Sequence, residues 1–147
     1  VTSLRDVSKE MLDEFRCEFT QDMFNKCTYV VNEKVRVLNT VDALKNNNLS
    51  VMGANMYETH EGLSKMYEVS CPELDFLVDF SKNYEEVIGA RMMGGGFGGC
   101  TINIIHQDDV ESFTKSVSDA YFKKFNIKLT AFEAMPSKGT SIRDNIT

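Results

Sequence analysis

The residues best suited to chemistry in this chain are Gly94-Gly95-Gly96-Phe97-Gly98-Gly99, which place five of its nine glycines in six positions. Glycine loses more backbone entropy on folding than any other residue, so so dense a cluster answers a specific need. Either the backbone must adopt positive φ, or something approaches it with no Cβ in the way. Phosphate is a common guest of such loops, because successive N–H groups form a small anion-binding concavity. Three phosphate-binding patterns share parts of this sequence. Gly94, Gly96 and Gly99 satisfy G-x-G-x-x-G, but a dinucleotide site needs a helix after the loop, and Cys100-Thr101-Ile102-Asn103-Ile104-Ile105 reads as strand. A protein-kinase glycine loop does lie between strands, yet this chain has no V-A-I-K, H-R-D or D-F-G. The Walker A pattern fails because no Lys-Ser or Lys-Thr follows the glycines. Two readings stay open. The glycines let a tight hairpin pack on a helix, or they form a loop, anchored through the bulky Phe97, that a ligand or another surface approaches.

No other residues form a catalytic constellation by spacing. His60 lies in a helical pattern between Glu58 and Glu61 and reads as a solvated helix histidine, while His106 ends a strand and reads as a sheet-edge residue. Arg91 precedes the loop and suits either a phosphate or a structural ion pair. Glu85-Glu86 and Asp108-Asp109 sit where loops or helix starts are expected, so solvation or capping accounts for them. Cys17, Cys27, Cys71 and Cys100 contain no C-x-x-C pair and no metal-like spacing with the histidines; they read as reduced thiols packed as small hydrophobes. No metal site is expected.

A net charge of −6 without a basic block argues against nucleic acid as a partner. It argues less against a phosphorylated ligand, since local N–H groups and magnesium dominate at a site. The longest apolar runs, such as Ile104-Ile105, are too short to span a bilayer. The start, Val1-Thr2-Ser3-Leu4-Arg5-Asp6, lacks the basic and apolar regions of a signal peptide, so a cytoplasmic protein is expected. Lacking an initiator methionine as well, the chain reads as a processed protein or an excised piece.

The elements that must position the loop are mostly helices, in one domain over residues 1–147. Ser8 caps a short helix with Glu10 in its first turn and Met11, Leu12 and Phe15 on its buried side. A long helix over about 22–45 carries Met23, Cys27, Val30, Val31, Val35, Leu38, Val41 and Leu44 as an apolar stripe, and Asn46-Asn47-Asn48 ends it. A third helix, about 50–65, buries Val51, Met52, Met56 and Leu63. A fourth opens at Ser70-Cys71-Pro72-Glu73, where proline suits the first turn and Ser70 with Glu73 has capping-box spacing; Leu74, Leu77 and Val78 face the core. Strands are expected over 87–92 and 101–105, flanking the loop. Asp108-Asp109 then starts a helix burying Val110, Phe113, Val117, Ala120, Tyr121 and Phe125, and the alternation over 128–135 predicts a last strand. The tail after Pro136 is polar and expected to be loose. The fold class is α+β, with helices packed on a small, mostly antiparallel sheet that is thin enough to lack a strand.

At this point two long motifs coincide with a known family. The stretch Gly89-Ala90-Arg91-Met92-Met93-Gly94-Gly95-Gly96-Phe97-Gly98-Gly99-Cys100-Thr101 resembles the C-terminal motif of galactokinases, members of the GHMP kinase superfamily. Tyr67-Glu68-Val69-Ser70-Cys71-Pro72-Glu73-Leu74-Asp75 is similar to a second galactokinase stretch. Ser3-Leu4-Arg5-Asp6-Val7, Val30-Val31-Asn32-Glu33 with Arg36-Val37-Leu38, and Pro136-Ser137 extend the resemblance over nearly the whole chain. Departures are Met93 in place of threonine, Gly62-Leu63-Ser64-Lys65-Met66 in place of S-L-R-D-x, and Lys138 in place of an aspartate. They leave sugar preference open.

The resemblance implies a ferredoxin-like GHMP kinase C-terminal domain, truncated because the chain begins partway into it. It implies that the full protein phosphorylates galactose to galactose 1-phosphate with ATP and Mg2+. Family features that hold galactose, cradle ATP and supply the catalytic base are absent from this sequence. No catalytic residue is therefore expected here. Gly94, Gly95, Gly96, Phe97, Gly98 and Gly99 are expected to line a cleft near the nucleotide phosphates, and the chain alone is expected to be inactive. Kinases of a related sugar such as N-acetylgalactosamine, a non-catalytic sensor of the same ancestry, and a free-standing partner-binding domain remain alternatives.

Overall fold

The computed structural model describes residues 1–135, 137–139 and 141. The expected tail, including Pro136 of the P-S pair, lies largely outside them. The chain runs α1 (Lys9–Glu14), α2 (Gln21–Lys45), α3 (Leu49–Lys65), α4 (Pro72–Lys82), β1 (Val87–Met93), β2 (Cys100–Ile105) and α5 (Val110–Phe125). Short 3-10 turns occupy Leu4–Asp6, Arg16–Glu18 and Gln107–Asp109. No helix among the described residues is long and apolar enough to cross a membrane.

Local chemistry accounts for most boundaries. Ser8 and Thr20 cap α1 and α2 by accepting from the N–H of Met11 and Met23 at 3.3 and 3.2 Å. The asparagine run does two jobs. Asn47 takes a left-handed φ of 53° to end α2, and the Asn48 side chain accepts from Val51 N–H to open α3. Pro72 starts α4 as expected, but the capping box does not form: Cys71 is the N-cap, and the Ser70 hydroxyl instead donates to Asp75 at 2.6 Å.

The sheet is a two-stranded antiparallel hairpin, β1 against β2, with Met93 opposite Cys100 and a bulge between Val87 and Gly89. α3 and α4 both pack on β1, and α2 lies on α3. Where α3 crosses β1 the contact is glycine on glycine: a Cβ on Gly89 would stand 2.5 Å from Gly53 Cα, and one on Gly53 would run into the Ile88 carbonyl. The larger core gathers Leu77, Val87, Phe113, Val117 and Tyr121 from α4, β1 and α5, with Phe76, Phe80, Tyr84 and Phe125 around them. A second cluster joins Val7 and Leu12 to Val31 of α2.

Three expectations are corrected. Residues 128–135 are not a strand: Leu129 packs on the aromatic core, while Phe132 is 80 % exposed. Alternation says which face a strand would bury but supplies no ladder, and no described strand pairs with this segment. On α2 only Val31 of the expected stripe is fully buried, together with Tyr29 and Ala43. Met23, Val35, Leu38, Val41 and Leu44 are exposed, Leu38 to 61 %, because α2 meets its neighbours along a narrower line than its apolar face. Phe15 of the short helix and Val51 of the third are likewise exposed.

Candidate functional site

The glycine loop joins β1 to β2, so the strand–loop–strand order that argued against a dinucleotide site holds. Its backbone needs glycine at several points. Positive φ occurs at Gly94, Gly96, Gly98 and Gly99, and Phe97 itself adopts a φ of 59°. The loop has two distinct sides. On one, Phe97 N–H donates to the Val69 carbonyl at 2.7 Å, and a Cβ on Gly96 would fall 2.8 Å from Val69 Cβ and closer still to that carbonyl. On the other, a Cβ on Gly94, Gly95 or Gly98 would meet nothing within 4 Å. The loop is therefore anchored, but not by its aromatic ring. The Phe97 side chain is 76 % exposed, and the backbone of the same residue makes the attachment.

Val69 belongs to the other motif, so the two sequence motifs meet in space. The connector carrying it is itself fixed. Tyr67 N–H donates to Gly62 O at 2.9 Å, Val69 N–H to Leu63 O at 3.0 Å, and Glu68 between them takes a left-handed φ of 61°. The Tyr67 ring packs on Tyr29 at 5.4 Å between centroids. A Cβ on Gly62 would collide with the Tyr29 ring, which gives a physical reason for glycine at that departure from the family pattern. Burial, aided by the Glu33 carboxylate, pushes the Tyr29 phenol up to about 12.

A second link runs beneath the first. His60 is 6 % exposed, not solvated as its glutamate neighbours implied. Its Nδ1 accepts from the N–H of Met92, two residues before the loop, at 3.2 Å, and its Nε2 lies 3.2 Å from Asp75 Oδ1. Asp75 also accepts from Ser70 at 2.6 Å and Ser64 at 3.0 Å. A spacing signal for this burial existed: Gly53, Met56 and His60 share one face of α3, and Gly53 marks that face as a close approach.

The other candidates take structural or solvent positions. Arg91 donates from Nη1 to the Met92 carbonyl at 3.3 Å and makes no salt bridge among the described residues. His106 is exposed after β2, and Asp108-Asp109 lie in the turn before α5. Cys27 and Cys71 are half-buried, whereas Cys17 and Cys100 are exposed, contrary to the expectation of packed thiols. A cavity of about 540 Å³ lies apart from the loop, lined by Lys9, Asn32, Lys34, Arg36, Asn55 and Glu58 among others. Two of its cations are engaged: Lys34 donates to the carbonyls of Arg5 and Val7, and Arg36 pairs with Glu33 and Glu58. What the loop can do chemically is offer backbone at close range on its open side. It brings no titrating side chain.

Residues 40–124 match the family model described as GHMP kinases C terminal. The chain is 41 % identical over 119 residues to a galactokinase of Thermosipho africanus, a match covering 81 % of this chain and 34 % of that protein. A galactokinase of Thermotoga neapolitana is 39 % identical over 138 residues, 93 % of this chain and 38 % of its own length. Among solved structures, the galactokinase of Lactococcus lactis complexed with galactose superposes with a TM-score of 0.82 at 30 % identity, covering 87 % of this chain and 33 % of that one. The chain thus spans little more than a third of the length of these curated relatives.

Proposed function

This chain belongs to the GHMP kinase C-terminal family, and we propose that it is the C-terminal part of a galactokinase, a single domain over residues 1–147. The whole protein would transfer the γ-phosphoryl group of ATP to the 1-hydroxyl of galactose in the cytoplasm. Phosphoryl transfer relies chiefly on positioning and on stabilising charge. The base and the main phosphate contacts would come from the part of the protein outside this sequence.

The observation that carries this reading is the junction of the two motifs, Phe97 N–H on Val69 O with His60 joining Met92 to Asp75. It holds one side of the glycine loop and leaves Gly94, Gly95 and Gly98 open to an approaching surface. In this role Gly94–Gly99 form a wall of the cleft near the nucleotide phosphates. Backbone N–H groups suit phosphate oxygen; with no carboxylate in the loop, the donor set does not suit Mg2+. No step in this chain is assigned to the metal, which would travel with ATP.

The test is turnover of the intact protein on a panel of sugars with ATP, beside the 147-residue chain alone. Galactose 1-phosphate from the intact protein and none from the chain alone is expected. Preference for N-acetylgalactosamine would reassign the substrate. Sugar binding without turnover would make the protein a sensor, and turnover by the chain alone would overturn the division of labour.

A further inference from the structure

We propose that His60 is a positioning residue for the glycine loop, and that it performs this role only as the neutral imidazole with its proton on Nε2. The inference rests on the reading of the loop as a cleft wall for its kinetic consequence, and on geometry alone for its structural content.

The partners fix the tautomer. Met92 N–H is a donor, so the Nδ1 facing it at 3.2 Å must be an unprotonated acceptor. The single ring proton then sits on Nε2 and is donated to Asp75 Oδ1 at 3.2 Å. Asp75 cannot swing to another partner, because Ser70 and Ser64 hold its two oxygens at 2.6 and 3.0 Å. One rigid chain therefore runs from the start of α4 through the ring to the last buried residue of β1, with Gly94 two residues further on. Ser70 also follows Val69, whose carbonyl holds Phe97. The entry to the loop and its midpoint are thus both referred to the same serine–aspartate–histidine unit.

Adding a proton at Nδ1 would set donor against donor at Met92 and undo the upper link. The surroundings oppose this. Burial disfavours the imidazolium most strongly; Asp75 and Asp79 of α4 favour it, and Lys65 of α3 adds to the opposition, leaving the group below the ordinary histidine value. β1 contributes Arg91 beside the contact, its guanidinium turned to the Met92 carbonyl. The ring is held neutral at physiological pH, and the link is released only under acid conditions.

Two substitutions separate the two halves of the link. His60→Asn sets a carbonyl oxygen near the Nδ1 position and cannot titrate; His60→Gln reaches toward Asp75 and leaves Met92 N–H without an acceptor. Hydrogen–deuterium exchange of the intact protein reads the backbone over 89–99. Protection there should fall about tenfold in the wild type as acidification protonates the ring, below the ordinary histidine range, the scale of one lost hydrogen bond. It should be independent of pH in His60→Asn and reduced at all pH values in His60→Gln. Turnover should drop about tenfold in His60→Gln and recover in part in His60→Asn. Should either variant fail to fold, the imidazole nitrogen shifts of the selectively labelled wild type decide: a proton on Nδ1 at neutral pH overturns the proposal. Equal protection in wild type and His60→Gln overturns it too. If exchange behaves as stated but the wild type transfers no phosphate, the positioning role stands and the kinase reading fails.

Discussion

Replacing Gly96 with valine sets local strain against local escape, and the structure says which should win. If the loop stays put, a β-branched residue must hold a φ of +91°, at a cost of about 1–3 kcal/mol. Its Cβ must also overlap Val69, 2.8 Å from that residue's Cβ. If the loop lifts, the overlap disappears and the principal loss is the 2.7 Å bond from Phe97 N–H to Val69 O, about 0.5–1.5 kcal/mol net. Lifting is the cheaper response, since Gly94, Gly95 and Gly98 meet nothing on the far side that would resist it. Gly96→Val should therefore lower the Tm by only about 3 °C. Activity of the intact protein should fall about 100-fold, the scale expected when a cleft wall is displaced by about 1 Å. Gly95→Ala separates the two effects: its φ is not positive and its Cβ would meet nothing within 4 Å, so Tm should hold, while activity should fall because the methyl stands on the side that a second surface approaches. Calorimetry and initial rates on the same preparations measure both. A Tm loss of about 10 °C with a proportionate loss of activity would show that the glycines merely let the hairpin pack, and a fully active Gly96→Val would refute the cleft-wall reasoning outright.

Gly53→Ala should behave in the opposite way, because its Cβ would meet the Ile88 backbone in the interior with no flexible neighbour to yield; a loss of about 3 kcal/mol is expected against a helix-propensity gain of about 1, read as a drop in Tm. A rise in Tm would show that α3 and β1 separate freely. Tyr29→Phe should flatten part of the alkaline loss of stability: the unfolded phenol ionises near 10 and the folded one near 12, so the wild type loses stability as pH rises between them, visible in Tm against pH. The acid side has the reverse origin. With His60 below the unfolded value of 6.5, its contribution is complete above that value and is lost as pH falls toward the folded one; His60→Asn should remove that segment of the Tm profile. Leu38→Glu with Leu44→Lys, both on the exposed side of α2, should leave Tm within about 1 °C and reduce any self-association of the isolated chain in sedimentation.

Signals confined to a few neighbouring residues were legible in the sequence. The asparagine run ends α2 and opens α3, Pro72 starts α4, and the glycines lie between two strands because each choice is local chemistry. What was missed depends on which neighbour arrives. His60 reads as solvated beside Glu58 and Glu61, yet those carboxylates point away while the ring faces β1 across the bare crossing at Gly53. The alternation over 128–135 is real, but a strand exists only where another offers it an edge. The meeting of the two motifs was equally hidden, since neither sequence states that Val69 lies under Phe97.

The bare crossing of α3 over β1 has a mechanical consequence. With Gly53 and Gly89 in direct backbone contact, there is no side-chain layer between helix and strand to shear. A lengthwise slip of either would drive the Ile88 carbonyl or its side chain into the helix. The hairpin is thus indexed to α3 as a vernier is to its scale, and a displacement of α3 would be delivered to the glycine loop undiminished.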